Sequence, residues 1–212
     1  MNFWREKMAK IVGADSERNV TRAAQVILNG GVIVYPTETI YGLGANALEA
    51  KAIERVYQTK SRPKSNPILV LIPGVEALDE LVLDVPDVGR ELMEKFWPGP
   101  LTIVFKASPI VSTILTANSG KLGIRLSSDH FCRELLAICR IPITSTSANL
   151  SGEPNPNRID MINRKVLNAV DLIVDAGELV SQTPSTVVDV TKGEIQLVRE
   201  GAIPFESILP GS

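Results

Sequence analysis

Hydrophobic positions along the chain switch period repeatedly, from every third or fourth residue to every second residue or to short unbroken runs. From Ser16 to Asn29, Val20, Ala24, Ile27 and Leu28 share one helical face, and Gly30 and Gly31 follow where a helix end commonly needs a positive φ. Val32 to Pro36 reads as a buried strand, the polar, glycine-bearing stretch Thr37 to Asn46 as a loop, and Glu49 to Lys60 as a helix with Ile53, Val56 and Tyr57 on one side. A strand is expected at Ile68 to Ile72. Further helices are predicted near Val75 to Leu83, Val88 to Phe96, Asp129 to Cys139 and Ile159 to Leu167. Further strands are predicted near Leu101 to Lys106, Leu122 to Leu126, Ile141 to Ser145, Leu172 to Asp175, Thr186 to Val190 and Glu194 to Val198. The alternation predicts an α/β fold. Strands outnumber helices towards the C-terminus, which favours a mixed sheet, with the last two strands pairing as a hairpin through Thr191, Lys192 and Gly193.

Composition narrows the class. The 212 residues are 44% hydrophobic and 22% charged, an ordinary globular balance. A chain of this size buries roughly 70% of its unfolded surface, enough for one core, so residues 1–212 are expected to form a single domain. The formal net charge of -2 provides no global attraction for nucleic acid or anionic membrane, so any anion site must be local. The charged N-terminus MNFWREKMAK lacks the apolar core of a signal peptide, and no run approaches ~18 apolar residues. A cytoplasmic protein with no membrane association is expected. Cys132 and Cys139, seven residues apart on one helical face, read as reduced core thiols.

Four polar segments fall at the ends of predicted strands: PTETIYGLG from Pro36, KSRPKSNP from Lys60, STSANLSG from Ser145 and STVVD from Ser185. In open α/β sheets, crevices built from such strand ends hold ligands. Lys60, Arg62 and Lys64 lie within five residues of one another, on a backbone stiffened by Pro63 and Pro67. Fixed cations of this kind suit a polyphosphate, although a short basic cluster alone also reads as a solvated turn. Gly42, Gly44 and Ala47 imitate a dinucleotide fingerprint, but the acidic residue expected further on is missing, and tight-loop glycines are the simpler reading. Ser127, Ser128, Asp129 and His130 precede an apolar helical run and read as a helix cap rather than a nucleophilic triad. Cys132, Cys139 and His130 do not have the spacing of a zinc site, and no protein metal site is expected. Ser145, Thr146, Ser147 and Asn149 suit phosphate oxygens, the water shell of a magnesium ion or the turn backbone itself. Arg125, inside the apolar run LGIRL, must find an anionic partner, either an internal carboxylate or that of a substrate.

Taken together and in order, PTETIYGLG, the K-x-R-P of Lys60 to Pro63, N-P at Asn66, FWPGPLT, G-I-R ending at Arg125, SANLSG, STVVD and REG at Arg199 resemble the YrdC family of threonylcarbamoyl-adenylate synthases. The resemblance implies a twisted mixed sheet flanked by helices, with a concave, positively charged face. It also implies ATP-dependent condensation of L-threonine with bicarbonate or CO2, in which the carbamate attacks the α-phosphate and pyrophosphate leaves. ATP would be a substrate with magnesium, and the adenylate would pass to a transferase complex that modifies tRNA beside the anticodon; direct tRNA binding is not required. Position by position, the resemblance assigns catalytic roles to Lys60, Arg62, Ser147 and Asn149. It assigns ATP contacts to Lys60, Arg62, Asn66, Lys121, Ser145, Ser147, Asn155 and Arg199, and threonine contacts to Thr37, Arg125 and Ser185. Lys121, Leu71 and Asn155 depart from the residues common in relatives, which leaves Leu71 a role in shape only. Longer relatives carry a second domain, so the chain is expected to be the single-domain form. An RNA-binding or ATP- and threonine-sensing module of the same fold is the alternative. The 5% aromatic content and acidic balance argue against RNA.

Overall fold

The computed structural model describes residues 9–209; the charged start of the chain and its last three residues lie outside them. Its elements are β1 (Lys10–Gly13), α1 (Glu17–Leu28), β2 (Ile33–Tyr35), β3 (Gly42–Gly44), α2 (Ala50–Lys60), β4 (Leu69–Leu71), α3 (Leu78–Leu81), α4 (Asp87–Phe96), β5 (Leu101–Lys106), β6 (Lys121–Arg125), α5 (His130–Cys139), β7 (Ile143–Ser147), α6 (Arg164–Ala169), β8 (Leu172–Asp175), β9 (Thr186–Asp189) and β10 (Gln196–Arg199). The strands join in the order β1-β8-β2-β3-β7-β4-β6-β5-β9-β10. β8 runs parallel to β1 and β2, β4 to β6, and β5 to β9, while the remaining pairs are antiparallel, so the sheet is mixed as the sequence predicts.

Several local expectations hold for the reasons given. Gly30 has φ +76 just past α1, Asp129 caps α5 by accepting from the Cys132 backbone N–H at 2.9 Å, and β9 and β10 pair antiparallel. Two predicted helices break instead. Over Val75 to Leu83 a short 3-10 turn leads into the four-residue α3, because Val82 leaves the helix to bridge Ala107 and the Leu83 N–H donates to Lys106. Over Ile159 to Leu167 a 3-10 turn stops at Met161, and Asn163 caps a fresh helix by accepting from the Lys165 N–H at 3.0 Å. The stretch read as a loop contains β3, whose Gly42 and Gly44 pair with Tyr35 and Ile33. A Cβ at Gly44 would meet the Tyr35 ring at 2.8 Å, so glycine is what lets this strand lie over the aromatic. β1 was also absent from the sequence reading.

The two sheet faces are covered unequally. On one face, Leu101, Ile103 and Phe105 of β5 and Leu122 and Ile124 of β6 join Val34, Leu43 and Val70 under Ile53 and Val56 of α2, Leu81 of α3, Leu92 of α4 and Val166 of α6. On the other, Ile33, Tyr35, Ile143, Leu172 and Val174 pack under Val20, Ala24 and Ile27 of α1 and Phe131, Leu135 and Leu136 of α5. That second cluster reaches β4 only through Leu71 and contains no residue of β5, β6, β9 or β10. Strand alternation sends Thr102, Val104, Gly123, Arg125 and Val187 to this same face. Half of one sheet face is thus roofed by two helices and the other half has no helix over it. Among the described residues no helix is long and apolar enough to cross a membrane.

Candidate active site

A cavity of about 470 Å³ opens over the unroofed half. Its floor is Leu69, Leu71, Arg125 and Val187, and its walls come from the loop after β2, the loop after α2, the end of β7, and the start of β9 with β10. The lining includes Arg62, Arg125 and Arg199 and no carboxylate.

Each arginine is held differently. The left-handed Ser61, φ 49, ends α2 and turns the chain, after which Arg62 folds onto its own loop, with Nε donating to the Asn66 carbonyl at 3.1 Å and Nη2 to that of Pro67 at 2.9 Å. Arg199 donates through Nε and Nη2 to the Ser185 carbonyl at 3.2 and 2.8 Å, and through Nη2 to Ser185 Oγ at 3.2 Å. Ser185 Oγ in turn lies 2.9 Å from Thr102 Oγ1. Arg125, 4% exposed, pairs through Nη1 with Glu38 Oε1 at 2.6 Å, and the Ser127 hydroxyl donates to Glu38 Oε2. Of the two partners left open for Arg125 by the sequence, the internal carboxylate is present. Burial pulls the guanidinium of Arg199 down from its usual pKa, and the neighbouring Arg125 and Arg62 add to the effect. Those two neighbours register there because the three cations face one space.

Lys60 stands behind this wall. Its side chain is 1% exposed, and its ammonium donates to the Ser147 carbonyl, to the Asn149 carbonyl at 2.9 Å and to Asn149 Oδ1 at 2.8 Å. Burial, then Arg62, lowers its pKa to about 7, while Glu153 acts in the other direction. Ser147 Oγ donates to Asn149 Oδ1 at 2.7 Å, and Asn149 Nδ2 donates to the carbonyls of Glu153 and Pro154 at 2.6 and 3.1 Å. Glu153 closes the loop by accepting from the Leu150 N–H at 3.2 Å and from Asn163 Nδ2 at 2.8 Å. Thr37 is fixed by its own turn, its hydroxyl accepting from the backbone N–H groups of Thr39 and Ile40 at 3.1 and 3.2 Å.

Of the residues singled out in the sequence, Thr37, Arg62, Asn66, Arg125, Ser145, Ser147, Asn155, Ser185 and Arg199 line the cavity. Lys60 and Asn149 do not; they brace it from beneath. Lys121 is not in the lining either. It sits four residues along β6 from Arg125 and spends its ammonium on Asp189 at 2.6 Å. Lys64 points away, 3.8 Å from Glu54. Sequence reasoning missed Glu38, Thr102 and Glu153. Only Glu38 had left a signal, the demand of a buried arginine for an anion. Among the described residues no three His, Cys, Asp or Glu side chains converge as a metal site.

A model of the Sua5/YciO/YrdC family, described as "Telomere recombination", matches residues 25–201. The chain belongs to this family. It is 35% identical over 91% of its length to the threonylcarbamoyl-AMP synthase of Pyrococcus abyssi, of which it spans 56%. It is also 35% identical over 86% of its length to a putative threonylcarbamoyl-AMP synthase of Methanocaldococcus jannaschii, spanning 85% of that protein. The structure of P. abyssi Sua5 complexed with L-threonine superimposes with a TM-score of 0.90 at 33% identity, covering 95% of this chain and 60% of that one. The chain thus spans little more than half of the P. abyssi relative. In this Sua5/YciO/YrdC chain the matched residues 25–201 contain β2 to β10, α2 to α6 and every residue that lines the cavity.

Proposed function

We propose that the chain is a threonylcarbamoyl-AMP synthase. The observation that carries the reading is a single cavity lined by three arginines and no carboxylate, in a chain whose relatives bear that activity in their names. ATP brings the negative charge, with magnesium arriving on its phosphates as part of the substrate. Arg62, with Asn66 beside it, holds the triphosphate, Arg199 the adenylate end, and Ser145, Ser147 and Asn155 offer neutral polar contacts along the nucleotide. Lys60 and Asn149 keep the Ser147 wall in place. The free edge of Arg125 takes the carboxylate of L-threonine as a planar fork, with Thr37 and Ser185 towards its other atoms.

In the reaction, the threonine amine and CO2, derived from bicarbonate, form a carbamate whose oxygen attacks the α-phosphorus, and the bond to pyrophosphate breaks. The arginines lower the barrier by standing where negative charge gathers on the leaving group, already oriented by bonds to carbonyls. No protein nucleophile is required. The adenylate passes to a transferase complex for tRNA modification in the cytoplasm, and the chain works as one domain. The decisive experiment is pyrophosphate release by the purified protein with ATP, magnesium and bicarbonate, with and without L-threonine. Threonine-dependent release is expected. Release that ignores threonine, or none from folded, ATP-binding protein, would favour a sensor built on the same fold.

A further inference from the structure

Glu38 is a carboxylate beside the cavity that the proposed reaction leaves without a task. One oxygen takes Arg125 Nη1 at 2.6 Å and the other is fixed by the Ser127 hydroxyl, so the carboxylate has one orientation and the arginine has one anchored corner. Among the described residues no buried side-chain nitrogen lacks a partner, and Arg125 bonds Glu38 through Nη1, so the rest of its fork opens on the cavity. The other two arginines are held only by carbonyls and a hydroxyl. Among the described residues neither of them has a carboxylate partner, whereas Arg125 is compensated at contact distance. The cavity is therefore graded in charge, with two cations that have no carboxylate partner and one fork that is compensated by Glu38.

We propose that Glu38 is a positioning residue that sorts the two substrates, discounting Arg125 for polyanionic phosphates and leaving its free edge to the carboxylate of a zwitterionic amino acid. The inference rests on the reading of the site as one for ATP and threonine. A polyanion gains most where charge is uncompensated, at Arg62 and Arg199; an amino acid of zero net charge gains mainly from the two-point geometry of the fork, which Glu38 leaves intact. Without the carboxylate, Arg125 becomes a third bare cation, and phosphate competes with threonine for it.

The test is steady-state kinetics of Glu38→Gln and Glu38→Asp in the full chain, varying threonine at several ATP concentrations, with pyrophosphate as the inhibitor. For Glu38→Gln the threonine KM is expected to rise on the order of tenfold and to climb further with ATP, and pyrophosphate to become competitive against threonine. Glu38→Asp retains the charge and is expected to restore wild-type inhibition while recovering only part of the KM. A merely structural role would not change the inhibition pattern. A threonine KM within twofold of wild type and independent of ATP would overturn the assignment. Should Glu38→Gln fail to fold, Ser127→Ala frees the second oxygen; a several-fold rise in threonine KM with ATP KM unchanged supports the assignment, and no change overturns it. Wild-type protein without threonine-dependent turnover would instead defeat the functional reading itself.

Discussion

Two halves of one sheet face meet opposite fates. Over β8, β2 and the start of β7 the face is apolar and lies under α1 and α5; over β6, β5 and β9 it carries Arg125, Thr102 and Lys121 and nothing helical covers it. Both halves share a backbone, a twist and a common core on the reverse side. The roofed half is paid for by hydrophobic burial, while the open half depends on the other face for its stability and is free to carry charge. A site can hold three converging cations only where folding does not also require that surface to be apolar.

Substitutions on the two halves should therefore separate stability from turnover. The largest expected effect is that of Leu135→Ala under the roof, where the side chain is fully buried: a loss of about 2–5 kcal/mol of unfolding free energy by denaturant titration, with kcat/KM of the folded fraction unchanged. Next is Arg62→Ala in the open half, expected to cut threonine-dependent pyrophosphate release by more than about tenfold, because a charge-assisted contact is worth about 1.5–3 kcal/mol, while the melting temperature stays near wild type. A variant that lost stability and activity together would break the comparison. The smallest effect sits at the seam. Lys60 has a native pKa of about 7, well below its unfolded value near ~10.4, so between those values the unfolded chain holds a proton that the native chain has released. Stability should then rise with pH through that window and lose this contribution as pH falls through 7. Melting temperatures of wild type and Lys60→Met, compared from pH 6 to about pH 10, should diverge in slope by up to one proton. Parallel curves would show that the ammonium keeps its charge among the Ser147 and Asn149 oxygens it faces.

The sequence patterns that proved reliable were those with one dominant cause. β5 was legible because Leu101, Ile103 and Phe105 alternate with outward positions, and α5 because its cap and apolar stripe agree. β3 was not, since Gly42 and Gly44 present no side chains to alternate and owe their place to the Tyr35 ring. The helix over 75–83 failed because Val82 answers to a distant partner, Ala107, which local periodicity does not register. In the site, Arg62 and Arg125 announced themselves as charges in stiffened or apolar surroundings, whereas Arg199 came only with the family resemblance. What pattern could not supply was pairing: which of 24 acidic residues meets Arg125, or that Lys121 meets Asp189. It also could not say on which side of a loop Lys60 lies.

The strand order has a consequence for the timing of synthesis. β8 slots between β1 and β2, and β9 flanks β5, so the last strands made complete both ends of a sheet whose other members emerge much earlier. Ser185 and Arg199 arrive with them. A nascent chain that has produced Arg62 and Arg125 still lacks the wall facing them, and no unfinished chain presents the completed cavity to a ligand. Competence to bind therefore appears together with the finished fold rather than ahead of it.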